Sequence, residues 1–222
     1  MRAALHDPIL VLVSLAAVLA LVFAARTAGA RGVPPALLRK LLHASVGLWT
    51  LLVTPRFGAL AWAVVPPGVF LAVNAAGKTR ELVPGIAPTE NAAAARGLWT
   101  FPLGVIVTYL LFWNVEERSA VLAGCAALAF ADPVAAVVGT RLGQRRFHPL
   151  GHGRTLEGSL AFFIVAAVAV AWIAAGRSEG VTPWRLAIGC AAAGAVVEAI
   201  SPPGWDNLGV PVSVAAAYAW LF

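Results

Sequence analysis

Pro8–Ala25, Leu37–Thr54, Phe57–Asn74, Gly97–Asn114, Ser119–Thr140 and Gly158–Gly176 are near-continuous apolar runs of 18 to 22 residues, separated by polar links. An α-helix needs about 20 apolar residues to cross the hydrocarbon of a bilayer. Two shorter runs follow, Leu186–Ile200 and Asn207–Phe222. The apolar residues do not alternate with polar ones, which favours helices over barrel strands. Lipid offers no hydrogen bonds to the backbone, so only helices and closed barrels span it. The chain therefore reads as an all-α, polytopic transmembrane helical bundle of about eight spans, some of them broken. Composition agrees: 12% of residues are charged, about half the share of a soluble domain, and mean hydropathy is +0.85.

The whole chain reads as a single integral membrane domain, with the first span and a basic connector over 1–36 and a core over 37–222. The first run is longer than the apolar stretch of a secretory signal, and its positive charge follows it, so a retained helix is expected. Pro66 and Pro67 lie inside the third run and should kink or break it, because each removes an N–H donor. Asp132-Pro133 should interrupt the fifth run and free backbone carbonyls around the acid. Cys125 and Cys190 both fall within apolar runs, and two such thiols make neither a disulfide framework nor a zinc site.

The net charge is +6, yet no soluble recognition motif accompanies it, so no nucleic-acid partner is expected. The charge instead sorts the loops. Eight spans place Arg2, Arg56, Arg118, Arg177 and Arg185 on one face. The other eleven of the sixteen Lys and Arg residues fall on the opposite face, among them Arg39, Lys40, Arg141, Arg145, Arg146 and Arg154. The positive-inside rule assigns that richer face to the cytoplasm of a cell membrane.

The polar residues that sit at or inside the spans gather on the same face. Asp132 lies within a span, where a charge costs on the order of 3 kcal/mol or more and marks a functional site by default. Arg39, Lys40 and His43 share one helical turn, with Arg39 and His43 on one side of it; membrane-edge anchoring is the plain alternative. The loop 141–157 carries Arg141, Arg145, Arg146, His148, Gly151, His152, Gly153 and Arg154. Guanidinium forks and unobstructed backbone N–H groups suit an anion. The loop is not a Walker A motif, since its glycine spacing fails, and His148 and His152 lack further zinc ligands. Thr155, Glu157, Gly158 and Ser159 open the sixth helix, as a cap and as N–H donors for phosphate. Glu198 ends the seventh span, and Asp206 and Asn207 begin the eighth across a tight Pro/Gly link. Carboxylates beside a polyanion site suggest Mg²⁺ held between acid and phosphate.

Four stretches in this order, LRKLLHASVGLW, ADPVAAVVGTRLG, GRTLEGSLAFF and EAISPPGWDNLGVP, resemble the motifs of the polyprenol/phytol/dolichol kinase family, which is related to the phosphatidate cytidylyltransferases. The resemblance runs from about Leu37 to the C-terminus. It implies transfer of a nucleotide γ-phosphate, often from CTP, to the hydroxyl of a lipid alcohol. By position it assigns the acid-Pro motif to Asp132 and Pro133, the basic-Thr motif to Arg154, Thr155, Glu157, Gly158 and Ser159, the late acidic motif to Glu198, Asp206 and Asn207, and the early motif to Arg39, Lys40 and His43. Ala131 stands where the family has Gly, and Arg154 where it has Lys. The expectation is thus a Mg²⁺-dependent lipid-alcohol kinase. Asp132, Glu157, Glu198 and Asp206 would serve as catalytic and metal-holding acids, and Arg141, Arg145, Arg146 and Arg154 would hold the triphosphate. A CDP-lipid synthase, a diacylglycerol kinase and a transporter are the competing readings.

Overall fold

The computed structural model describes residues 2–84, 86, 92–148, 153–175 and 183–222. Gly151, His152 and Arg177 lie outside the described residues. Among the described residues six helical stretches are long and apolar enough to cross a membrane: His6–Ala30, Pro35–Arg56, Ala95–Phe112, Ser119–Arg141, Leu156–Ala174 and Pro183–Ile200. The other two expected spans are shorter. One is the broken stretch Leu60–Ala75; the other is the terminal helix Asp206–Leu221 of 16 residues.

The chain begins with α1 (Arg2–Ala30) and α2 (Pro35–Val53), whose first residue is a proline that loses no intrahelical bond there. The third stretch divides into α3 (Leu60–Ala63) and α4 (Val65–Ala75), and the division falls just before Pro66-Pro67. The break expected from the proline pair is there. A short α5 (Lys78–Leu82) leads to α6 (Ala92–Phe112). Then comes the central helix, α7 (Ser119–Ala126), a π-helical turn at Ala127–Ala131, and α8 (Asp132–Arg141). The loop after it is not wholly irregular. It folds into a two-stranded antiparallel ribbon, β1 (Arg146–Phe147) against β2 (Arg154–Thr155). The ribbon is too short for any alternation to show in the sequence. The bundle closes with α9 (Leu156–Ala174), α10 (Pro183–Ile200) and α11 (Asp206–Leu221).

Every residue of α7 is buried. On one side it meets α9 and α11, with α10 packed against those two, through small residues: Ala120, Ala123, Ala127, Ala166, Ala187, Ala191 and Ala215 are all within 2% of full burial. Without a hydrophobic drive between helices in lipid, such residues promote association by letting backbones approach. A Cβ on Gly124 would strike the Pro211 carbonyl of α11, so only glycine fits that crossing. On the other side α7 meets a looser group built from α1, α2, α3, α4 and α6, whose buried residues include Phe57, Tyr109 and Trp113. Large apolar side chains such as Leu12, Phe23, Leu52, Leu110, Leu160 and Trp172 remain exposed on the outside, as a lipid-facing surface requires.

Candidate functional site

The acids point inward because of helical register. On α10, Leu186, Cys190, Gly194 and Glu198 recur every four residues and are all buried. On α11, Asp206, Val210, Val214 and Tyr218 do the same. Residues at this spacing share a helix face, so each carboxylate continues an apolar stripe that faces the core. Phe162, Ala166, Val170 and Ala174 make the matching stripe of α9.

Between these acids lies Arg154, delivered by β2. Its Nη1 is 3.0 Å from Glu198 Oε1, and its Nη2 is 3.0 Å from Asp206 Oδ2. Nη2 also donates to the Ser201 carbonyl at 3.3 Å. Burial alone would lower the pKa of this guanidinium. The carboxylates of Glu198 and Asp206 outweigh that and hold it above its ordinary value. The Arg154 Nε–H is buried without a hydrogen-bond partner among the described residues. Ser159 reaches Glu198 Oε2 at 3.5 Å, at the outer limit of a hydrogen bond.

Asp132 enters the same cluster from the central helix, and the route shows why the π turn is there. Pro133 has no N–H to give. The Asp132 N–H bonds five residues back, to Ala127, instead of four. The Leu128 carbonyl therefore loses both of its possible helical donors. His43 Nε2 supplies the replacement at 2.7 Å. A carbonyl only accepts, so Nε2 carries the proton, and in a neutral imidazole Nδ1 is a lone pair. That Nδ1 faces Asp132 Oδ2 at 4.0 Å. His43 packs edge-on against Phe101 with ring centroids 4.6 Å apart. One turn along α2, Gly47 lies against the π turn so closely that any Cβ would collide with Ala129. The expectation that Pro133 frees carbonyls around the acid is thus met by a specific atom, and His43 is its partner.

Asn207 ties α11 to α6. Its Nδ2 donates to the Gly97 carbonyl at 3.3 Å and to Thr100 Oγ1 at 3.4 Å. Thr100 Oγ1 donates to the Gly204 carbonyl at 2.6 Å, and Arg96 Nε to the Pro203 carbonyl at 3.1 Å. Arg96, Gly97 and Thr100 were not legible as site residues, because nothing in their own stretch shows that the 202–204 link lies against them. Arg39 donates to the Ile86 carbonyl at 3.2 Å.

One cavity of about 340 Å³ connects these groups. Its charged mouth is lined by Arg39, Lys40, His43, Asp132, Arg154, Asp206 and Asn207. Its bore continues between α1, α2, α4 and α6, past Val46, Phe70, Phe101 and Val105, to Val53, Phe57, Ala63 and Tyr109. Within the bore the Trp49 indole N–H is buried without a hydrogen-bond partner among the described residues.

Several expected site residues lie elsewhere. Arg141, Arg145 and Arg146 are exposed and line no part of the cavity. The ribbon register is the reason: Arg146 pairs with Thr155, and Phe147 with Arg154. Paired residues share a face and successive ones alternate, so turning Arg154 inward turns Arg146 outward. Glu157 accepts the Arg145 backbone N–H at 3.2 Å and lines a separate surface depression with Leu142, Gln144 and Leu160. These four residues are not brought to the carboxylate cluster, which corrects the expected constellation. Thr155 caps α9 by accepting the Gly158 N–H at 3.2 Å, and Gly158 packs beside Gly139 and Ala135. Gly153 and His148 are neighbours at the exposed loop.

Among the described residues no three His, Cys, Asp or Glu side chains form a ready metal cage. The donor chemistry is nevertheless that of Mg²⁺, which takes one or two carboxylates and completes its octahedron with water and phosphate oxygens. Glu198 and Asp206 meet at Arg154, and Asp132 lines the same cavity as Arg154 and Asp206, so these acids fit a cation shared with a phosphate and not one enclosed by protein alone.

The chain is similar to a curated protein named "Phytol kinase" from Synechocystis sp. It is 27% identical to it over 201 residues, which span 85% of this chain and 82% of that protein. No family model matches, and no solved structure matches. The similarity supports the resemblance to the polyprenol/phytol kinase family.

Proposed function

From that similarity, and from a single cavity with a charged mouth and an apolar bore, we propose that this protein is a membrane kinase of a lipid alcohol of the isoprenoid class. CTP is the favoured phosphate donor, and the reaction takes place at the cytoplasmic face. The cavity carries the reading. A lipid alcohol has one hydroxyl and one long apolar tail, and this space offers acids at one end and hydrocarbon at the other.

Phosphoryl transfer needs positioning and charge neutralisation more than covalent help. The tail occupies the bore, which sets the hydroxyl at the mouth beside Asp132. Asp132 accepts the hydroxyl proton as the oxygen attacks the terminal phosphorus. The new bond joins the lipid oxygen to phosphorus; the bond that breaks joins phosphorus to the bridging oxygen, and the nucleoside diphosphate leaves. Arg154 is fixed by Glu198 and Asp206, so its guanidinium charge is already in place beside the incoming phosphate and need not reorganise. Arg39 and Lys40 at the rim add positive charge for the remaining phosphate oxygens. Mg²⁺, held by carboxylates among Asp132, Glu198 and Asp206 together with phosphate oxygens, would neutralise the charge that develops on the leaving group.

The test uses purified protein in detergent, a panel of lipid alcohols, and nucleoside triphosphates labelled in the terminal or the innermost phosphate. Label from the terminal phosphate in the lipid is the expected result. Label from the innermost phosphate, with release of pyrophosphate, would mean a cytidylyltransferase, and label from neither would overturn the enzyme reading.

A further inference from the structure

The bore has a floor, and its depth matches a definite tail length. Phe57 and Ala63 are each 1% exposed, Tyr109 is 2% and Val53 is 7%, whereas Arg39, Lys40 and Arg154 at the mouth are partly open. The space is therefore closed at its apolar end, whereas its mouth and its side walls at Val46, Phe70 and Phe101 are partly open. The floor is also held rigid. The Tyr109 hydroxyl donates to Thr54 Oγ1 at 2.6 Å, and Thr54 gives its own proton to the Thr50 carbonyl. The Tyr109 ring packs against Trp113 with centroids 5.5 Å apart.

Helix rise measures the depth. His43, which faces Asp132, is ten residues from Val53 on α2, or roughly 15 Å at 1.5 Å per residue. Gly97 and Tyr109, the outer and inner lining residues of α6, are twelve residues apart, or roughly 18 Å. A fully extended chain of single bonds advances about 1.2 Å per bond, as the three bonds of an extended residue do. The bore thus accepts on the order of 12 to 15 main-chain bonds, the reach of three to four isoprene units at about four main-chain carbons each.

We infer that the bore is a length gauge: Val53, Phe57, Ala63 and Tyr109 form a closed floor that admits tails of three to four isoprene units and excludes long polyprenols. This rests on the lipid-alcohol reading of the same cavity, and it assigns specificity to residues far from the reacting atoms. Val105, midway along α6 and 3% exposed, sets the width of the passage above the floor.

The experiment separates the gauge from the chemistry. Full-length protein in detergent is titrated with geraniol, farnesol, geranylgeraniol and solanesol, first without nucleotide, reading thermal stabilisation, and then with labelled nucleotide. Stabilisation is expected to strengthen from geraniol to geranylgeraniol and to weaken by roughly tenfold or more in apparent affinity for solanesol. Phe57→Ala should move the cut-off to longer tails, and Val105→Trp should move it to shorter ones. Equal affinity of the unaltered protein for geranylgeraniol and solanesol would overturn the gauge even if neither variant folds. So would an unmoved cut-off in variants that remain folded. A length cut-off without phosphate transfer from any nucleotide would sustain the gauge and sink the kinase reading, while phosphorylation of every tail length alike would do the reverse.

Discussion

The two sides of the central helix differ in how much space they leave. Toward α9, α10 and α11 the contacts are mostly alanine, glycine and valine, closed without a gap around Phe162 and Tyr218, and side chains such as Ala166, Val170, Val210 and Val214 are fully buried. Toward α1, α2, α4 and α6 the facing residues are Trp49, Phe70, Phe101, Pro66 and Pro102, and these enclose a cavity. Small residues let helices close on one another; rings and prolines hold them apart. The close-packed side supplies Glu198, Asp206 and the stripe behind them. The hollow side supplies Arg39, Lys40 and His43. Asp132, on the central helix, faces the seam. A rigid frame for charge and a vacant bore for hydrocarbon thus come from opposite sides of one helix.

The sharpest test falls on the seam. Asp132→Asn keeps the shape and removes the proton acceptor, so lipid phosphorylation should fall by about 10²–10⁴-fold while membrane insertion is unchanged. Activity near the original level would remove Asp132 from the mechanism. On the frame side, Arg154→Met leaves Glu198 and Asp206 buried without their partner. That should cost about 3–5 kcal/mol, seen as an earlier midpoint of heat unfolding in detergent; an unshifted midpoint would mean that the two carboxylates are not held as described.

The contrast in packing predicts a contrast in cost. Phe162→Ala removes a fully buried ring from the close-packed side and should cost about 3–5 kcal/mol. Phe70→Ala, on the half-open cavity wall, should cost about 1 kcal/mol. Equal midpoints for the two variants would erase the distinction between the sides. Glycines sharpen it further. Gly47→Ala drives a methyl into Ala129 and should destabilise by about 1–3 kcal/mol. At Gly68, within α4, an added Cβ meets nothing within 4 Å. Gly68→Ala should therefore stabilise by about 0.4–1 kcal/mol. The smallest effects belong to the outward groups: Arg146→Ala and Glu157→Gln should leave the midpoint of heat unfolding where it is, and change transfer by no more than about twofold. A large loss of transfer in either would show that the exposed ribbon takes part in phosphate binding.

Some of this was legible before any coordinates. Apolar runs near bilayer length require helices, and Pro66-Pro67 forecast the break that separates α3 from α4. The acids at 132, 198 and 206 stand out because membrane-depth charge is costly and rare. The four-residue spacing of Glu198 behind Gly194 and Cys190, and of Asp206 ahead of Val210 and Val214, could have assigned both to inward faces. The π turn was less accessible. Pro133 announces a missing donor, but nothing local tells that the chain answers with a five-residue bond and that His43, 85 residues earlier, takes the orphaned carbonyl.

By itself the sequence determined class, span positions and an inventory of charged residues, because each of these follows from local costs: backbone groups in lipid, prolines in helices, carboxylates among apolar side chains. Tertiary structure alone decided which charges meet. Arg154 faces inward and Arg146 outward because a ribbon alternates its faces, Glu157 turns to a backbone N–H outside the cluster, and the bore exists because large rings on three separate helices cannot close on the central one. Such outcomes depend on pairings between distant segments, and a pairing has no energy until both partners are in place.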